Sequence, residues 1–260
     1  MSRFWQSRVS VGTAVAGVAS LLLSAANTMA QPVAPTPPPT PLPEPQAVAP
    51  QSFGYSASPI HNPVPLLGTG RAVREALHKG GYIIYFRHGR TQLDQVGRES
   101  GNRAEGQIDF ARCDTQRNLS DEGRAELKAA GDAFRAAAIP LDKVLASPYC
   151  RTRETAAYFA PRGTPSAQSS AAGSGLRVQE RPLLAGDLQS EPKTAQLEQL
   201  FSQRPAPGKN TLIVAHGMTL RAVTGFAIAE GHALVLEPGN FKTIVARIAP
   251  GEWAGVASGR

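Results

Sequence analysis

Tyr82-Ile83-Ile84-Tyr85-Phe86-Arg87-His88-Gly89 is the stretch on which the fold turns. Its apolar and aromatic run reads as a short strand buried on both faces, and charge arrives only where the run ends, at Arg87-His88. Thr211-Leu212-Ile213-Val214-Ala215-His216-Gly217 repeats the pattern, and Val144-Leu145-Ala146 leads into Ser147-Pro148-Tyr149-Cys150-Arg151. In an open α/β sheet, ligands bind just outside the carboxyl ends of the strands. Separate strand ends would therefore deliver Arg87, His88, Arg151 and His216 to one place.

Between these strands the periodicity is helical. Val73, Ala76 and Leu77 mark a helix over residues 70–79 that Gly80-Gly81 stops. Ser120 reads as an N-cap with Asp121 and Glu122 in the first turn, and Leu127, Ala130, Phe134 and Ala137 give the buried face up to residue 138. Further helices are expected over 151–159, around Leu197, Leu200 and Phe201, and over 218–228. Residues 176–179 read as a short strand. Residues 232–236 and 242–248 read as strands joined in a hairpin at Pro238-Gly239-Asn240. Residues 90–117 lack periodicity and are expected as a long active-site loop, and 163–175, small and polar, as a surface loop. This alternation predicts an α/β three-layer sandwich, a mostly parallel central sheet flanked by helices, over residues 66–260.

The N-terminus reads differently. Arg3 and Arg8 precede an uncharged Ala, Val and Leu-rich stretch, and small residues offer cleavage after Ala30 or Ala26: the pattern of an export signal over residues 1–30. An uncleaved membrane anchor is the alternative, since the stretch reaches about 18 residues. Residues 31–65, dense in proline, are expected to be an extended linker. The expected location is periplasmic or secreted, with membrane contact only through an uncleaved signal.

The formal charge is +7, part of which leaves with the signal, and the remainder suits an anionic small substrate. No dense basic stripe with interleaved aromatics is present, so no nucleic acid partner is expected. In an exported chain Cys113 and Cys150 are expected to form a disulfide, two free buried thiols being the alternative.

Phosphate esters carry charge on oxygens that planar guanidinium groups match. Arg87 and Arg151 would hold the phosphoryl group, and a neutral imidazole could then attack phosphorus. For this, one His88 ring nitrogen should donate to a backbone carbonyl and leave the other free. The same arginines would repel a divalent cation, and no carboxylate stands at a ligand spacing, so neither a metal nor another cofactor is expected.

Taken together, Arg87-His88-Gly89-Arg90-Thr91, Leu119-Ser120-Asp121-Glu122-Gly123-Arg124, residues 147–156 and Val214-Ala215-His216-Gly217 resemble the histidine phosphatase superfamily, whose fold is phosphoglycerate mutase-like. Glycine rather than aspartate after His216 is similar to branch 1. The resemblance implies His88 as the phosphorylated nucleophile, Arg87 and Arg151 as phosphate clamps and His216 as the fourth pocket residue. It sets Asp94 where branch 1 commonly has asparagine near the phosphate, and Arg90 at the pocket mouth. Arg153, Glu122 and Glu154 read as helix-surface residues, and His61, His78 and His232 are assigned no chemistry. Relatives place an acidic proton donor where this chain has Ala185, which leaves Asp187, Glu180 or no residue as the general acid.

The expected activity is that of an exported, metal-independent phosphomonoester hydrolase acting on small or varied phosphoesters through a phosphohistidine. The alternatives are a phosphohistidine phosphatase acting on a phosphoprotein, or a non-catalytic module that binds a phosphorylated ligand at the cell envelope.

Overall fold

The computed structural model describes residues 62–68, 70–92, 94, 108–160, 176–185 and 191–260. The export signal, residues 31–61 of the linker, the loop at 163–175 and Asp187 lie outside the described residues.

The central sheet has the strand order β3-β2-β4-β1-β5-β6. Strands β1 (Ile83–Arg87), β2 (Leu141–Ala146), β3 (Val178–Glu180) and β4 (Asn210–Ala215) run parallel. β5 (Ala233–Leu236) and β6 (Ala246–Ile248) are antiparallel additions at one edge. Alternation along the strands feeds two cores. Ile84, Phe86, Leu212 and Val214 point to one face, where α1 (Arg71–Lys79), α2 (Asp121–Ala136), α3 (Cys150–Phe159) and α6 (Trp253–Ser258) pack. Ile83, Tyr85, Ile213 and Ala215 point to the other, under α4 (Glu191–Ser202) and α5 (Gly217–Thr224). Phe86 stacks on Phe159 and Trp253 at 4.0 and 5.6 Å between ring centres. Among the described residues no helix is long and apolar enough to cross a membrane.

The elements form largely where the sequence puts them. Gly80 ends α1 with φ 77°, in the left-handed region, and the Ser120 hydroxyl accepts the Gly123 N–H at 3.0 Å as an N-cap should. Three expectations need correction. The helix after His216 stops at Thr224, because Gly225 takes a left-handed C-cap and returns its N–H to the Arg221 carbonyl. The tail strands do pair and the turn at Pro238-Gly239-Asn240 forms, the Asn240 N–H donating to the Glu237 carbonyl at 3.1 Å, but the second strand begins only at Ala246, not at 242. The connection runs from 237 to 245, where the Ile244 and Val245 carbonyls accept the Leu66 and Leu67 N–H groups. The chain then continues into α6, a helix the periodicity did not announce, whose Trp253 is wholly buried. The end of the proline-rich stretch is also bound to the domain: the Asn62 amide bonds both the N–H and C=O of Ala227, at 2.8 and 2.6 Å.

Parallel pairing aligns the strand ends. His88 N–H donates to the Ala215 carbonyl and Ser147 N–H to the Val214 carbonyl, both at 3.0 Å, so the turns after β1, β2 and β4 open on one edge. Gly89 lets the first turn lie against α2, since a Cβ there would sit 2.4 Å from Leu127 Cδ1. A Cβ at Gly123 would likewise meet the Arg90 carbonyl oxygen at 2.3 Å.

Candidate active site

At that edge the two histidines face each other, ring centres 5.4 Å apart, both buried. His88 Nδ1 lies 2.9 Å from the Gly89 carbonyl oxygen. A carbonyl only accepts, so Nδ1 carries the proton and Nε2 keeps its lone pair. Burial holds the ring's pKa well below the ordinary histidine value, and the Arg151, Arg87 and Arg117 guanidiniums push the same way against the Gly89 carbonyl. His88 is therefore neutral at neutral pH.

His216 is the opposite tautomer. Arg151 Nη2 approaches its Nδ1 at 3.5 Å and can only donate, so Nδ1 accepts and Nε2–H donates to Ser147 Oγ at 2.9 Å. Its pKa is likewise held well down, first by burial, then by His88 and Arg151. The Tyr149 ring stands edge-on to His216 at 4.9 Å, and the Arg151 guanidinium lies over the same ring at 4.3 Å. Below the ring, the buried Tyr85 hydroxyl donates to the His216 carbonyl at 2.6 Å, and burial pushes that phenol's pKa up.

Arg87 and Arg151 enter from β1 and the first turn of α3. Arg87 Nη1 donates to the Ile228 carbonyl and Nη2 to Glu230, each at 3.0 Å. Arg151 is nearly buried and donates to the Arg117 carbonyl at 3.3 Å. The expected disulfide, Cys113–Cys150, is present and ties a 3-10 turn at Cys113–Thr115 to the residue before Arg151. Gln116 reinforces it by accepting the Cys150 N–H at 2.9 Å. The Gly89 N–H donates to Thr155 Oγ1 on α3 at 3.0 Å, which couples the two turns directly.

Arg87, His88, Arg151 and His216 thus gather as expected. Asp94 is exposed, and Asp187 lies outside the described residues. Glu180 ends β3 and ion-pairs with Arg153 at 3.5 Å, while Ala185 closes a 3-10 turn. Arg153 is not the helix-surface residue expected from its position. Its guanidinium folds back over the disulfide, 3.0 Å from Cys150 Sγ and 3.1 Å from the Phe110 carbonyl. Glu154 pairs with Arg124 across α2 and α3 at 2.7 Å, and Arg90 pairs with Glu126 in an exposed position at 2.9 Å. Sequence reasoning missed Arg117, whose charge is felt by both histidines, and Glu230. It quoted Ser147 and Tyr149 without giving them work. Among the described residues no three His, Cys, Asp or Glu side chains cluster as metal ligands would.

Residues 83–171 match the family model of the histidine phosphatase superfamily (branch 1). His216 lies beyond that match and joins the site through the sheet. Comparison with curated proteins returns no match. Similar solved structures include the protein histidine phosphatase SixA complexed with tungstate, at 17% identity and a TM-score of 0.42 over 65% of this chain and 97% of that one. TTHB049 from Thermus thermophilus matches at 18% identity and TM-score 0.34, over 65% and 99% of the two chains. Phosphoserine phosphatase from Entamoeba histolytica, in complex with 3-phosphoglyceric acid, matches at 12% and 0.32, over 59% and 89%.

Proposed function

We propose that this chain, whose residues 83–171 match the histidine phosphatase superfamily (branch 1), is a phosphatase of that type and hydrolyses phosphomonoesters through a phosphohistidine on His88, without a metal. The observation that carries this reading is the state of His88: neutral, with Nδ1–H spent on Gly89 and Nε2 free among arginines. Arg87 and Arg151 hold the phosphoryl oxygens and offset charge that builds in the transition state. His88 Nε2 attacks phosphorus, the bond to the ester oxygen breaks, and that oxygen takes a proton from an acid or from water. In the second half, water attacks phosphorus, the P–N bond breaks, its electron pair returns to Nε2, and orthophosphate leaves with the proton shed to solvent. His216, whose one N–H is held by Ser147 Oγ and whose Nδ1 faces Arg151, packs against His88 and completes the wall of the phosphoryl site.

Export is part of the proposal. It rests on residues 1–30 as read above, and the Cys113–Cys150 disulfide supports an oxidising compartment. A protein phosphohistidine is the second reading, favoured by Ala185 where a proton donor would stand. An imidazole leaves without one, because its nitrogen is already basic enough to depart protonated.

Phosphate release from p-nitrophenyl phosphate, with EDTA present, tests the proposal on the mature domain. Wild type should turn over, and His88→Ala should lose at least about a thousandfold of kcat, the scale on which losing a nucleophile is felt. Equal activity in both would refute a histidine nucleophile. No turnover by wild type, but retained binding of orthophosphate, would favour the phosphoprotein or binding-module readings.

A further inference from the structure

Glu230 stands on the loop between α5 and β5, outside every motif that marks the site. One of its oxygens accepts Arg87 Nη2 at 3.0 Å, and the other accepts the Thr91 backbone N–H at 3.1 Å. Thr91 Oγ1 adds contacts at 3.3 and 3.4 Å, and Arg117 Nη2 lies 4.0 Å away. The next residue, Gly231, donates its N–H to the His88 carbonyl at 2.9 Å. One carboxylate therefore grips the nucleophile's turn on both sides, before it at Arg87 and after it at Thr91.

We infer that Glu230 is a positioning residue for the phosphate site: it braces the turn carrying His88 and orients the Arg87 guanidinium toward a bound oxyanion. Arg87 has five N–H groups in a fixed fork. Glu230 and the Ile228 carbonyl engage one terminal nitrogen each. Nε is buried and has no hydrogen-bond partner, so the bonds to Ile228 and Glu230 set the direction of the fork. Both Glu230 oxygens already accept from donors, which suits a brace and not a proton donor. Its charge also lies next to Arg87 and Arg117, so a carboxylate that merely competed for them would weaken phosphate binding. A brace strengthens it. The two roles have opposite signs.

The inference rests on the phosphatase reading for its activity arm alone. Binding of inorganic phosphate is measured by calorimetry on wild type, Glu230→Ala, Glu230→Gln, Arg87→Ala and the double variant, each checked for an unchanged fold by thermal melting. Glu230→Ala should bind at least tenfold more weakly, Glu230→Gln should recover part of that loss by keeping an acceptor for Arg87, and the double variant should bind no more weakly than Arg87→Ala. With p-nitrophenyl phosphate, Glu230→Ala should lower kcat as well as raise KM. Phosphate binding that is unchanged or tighter in Glu230→Ala overturns the brace, as does a double variant in which the two losses add. A wild type that binds phosphate but does not turn over p-nitrophenyl phosphate refutes the phosphomonoester reading while leaving this cycle readable. A wild type that binds no phosphate overturns both.

Discussion

Ser147 decides which nitrogen of His216 holds the proton. With Oγ accepting from Nε2–H, Nδ1 is left to face Arg151, and the ring can remain neutral beside His88. Ser147→Ala would leave a buried N–H without a partner, a penalty of about 1–3 kcal/mol. Relaxation to the other tautomer would set Nδ1–H against the Arg151 N–H groups. Either way kcat/KM should fall by roughly tenfold or more, the equivalent of about 1.4 kcal/mol, while Ser147→Thr, which keeps a hydroxyl, should fall less. Steady-state kinetics on the pair checks this; equal losses would place the effect in packing instead. Residue chemistry of this kind was half legible. The need for a donated Nδ1–H on His88 follows from what a nucleophilic imidazole requires, and Gly89 meets it. Glu230 was not legible, because its partner Arg87 is far off in sequence and only the antiparallel return of β5 beside β1 brings them together.

At the scale of elements, the sheet positions the turns of the proposed site and the disulfide ties one of them to the segment at Cys113. Strands such as Leu212–Val214 announce themselves because burial on both faces forces continuous apolar runs, and the cap at Ser120 because its side chain competes for the backbone locally. The C-terminal helix gave no such signal. It is short, and only Trp253 and Val256 anchor it, Trp253 in a core supplied by Phe86, Phe134 and Phe159. Cys113 and Cys150 are 37 residues apart, and closing that loop stabilises the fold by about 4 kcal/mol in the chain-entropy model. Yet Gln116 and the Arg117 carbonyl hold the same two segments together by hydrogen bonds. Replacing both cysteines with serine should therefore lower the urea midpoint strongly but cost less than about tenfold in kcat/KM at 25 °C. Denaturation curves and kinetics on the same preparation would show it. Activity lost in step with stability would mean that the crosslink itself sets the arginine geometry.

For the molecule as a whole, two buried neutral histidines make stability depend on pH. Their ordinary value is 6.5, and burial holds both well below it. As pH falls through about 6.5 the unfolded chain takes up protons that the folded domain refuses, so the unfolded state gains. Stability is full above that value and declines toward the depressed folded values, by up to about 1.4 kcal/mol per pH unit for each histidine. Urea unfolding at about pH 7.5 and about pH 5.5 should show the decline, and His88→Ala should remove one histidine's share. A profile that stays flat on acidification would mean that the folded domain takes up protons on the pair as readily as the unfolded chain does. The three-layer architecture itself was legible from the alternation of strands and helices.

The Asn62 clamp on Ala227 has a mechanical meaning. A pull exerted on the domain through its N-terminal lead would be borne at two places: by that amide, and by the Leu66 and Leu67 bonds to the chain just before β6. The first of these sits on the stretch that runs from Ala227 through Ile228 and Glu230 to Gly231, where Arg87 and His88 are gripped. Whatever fixes Asn62 therefore also steadies the stretch that grips Arg87 and His88, so order at this end of the domain and order at the proposed site are physically one thing.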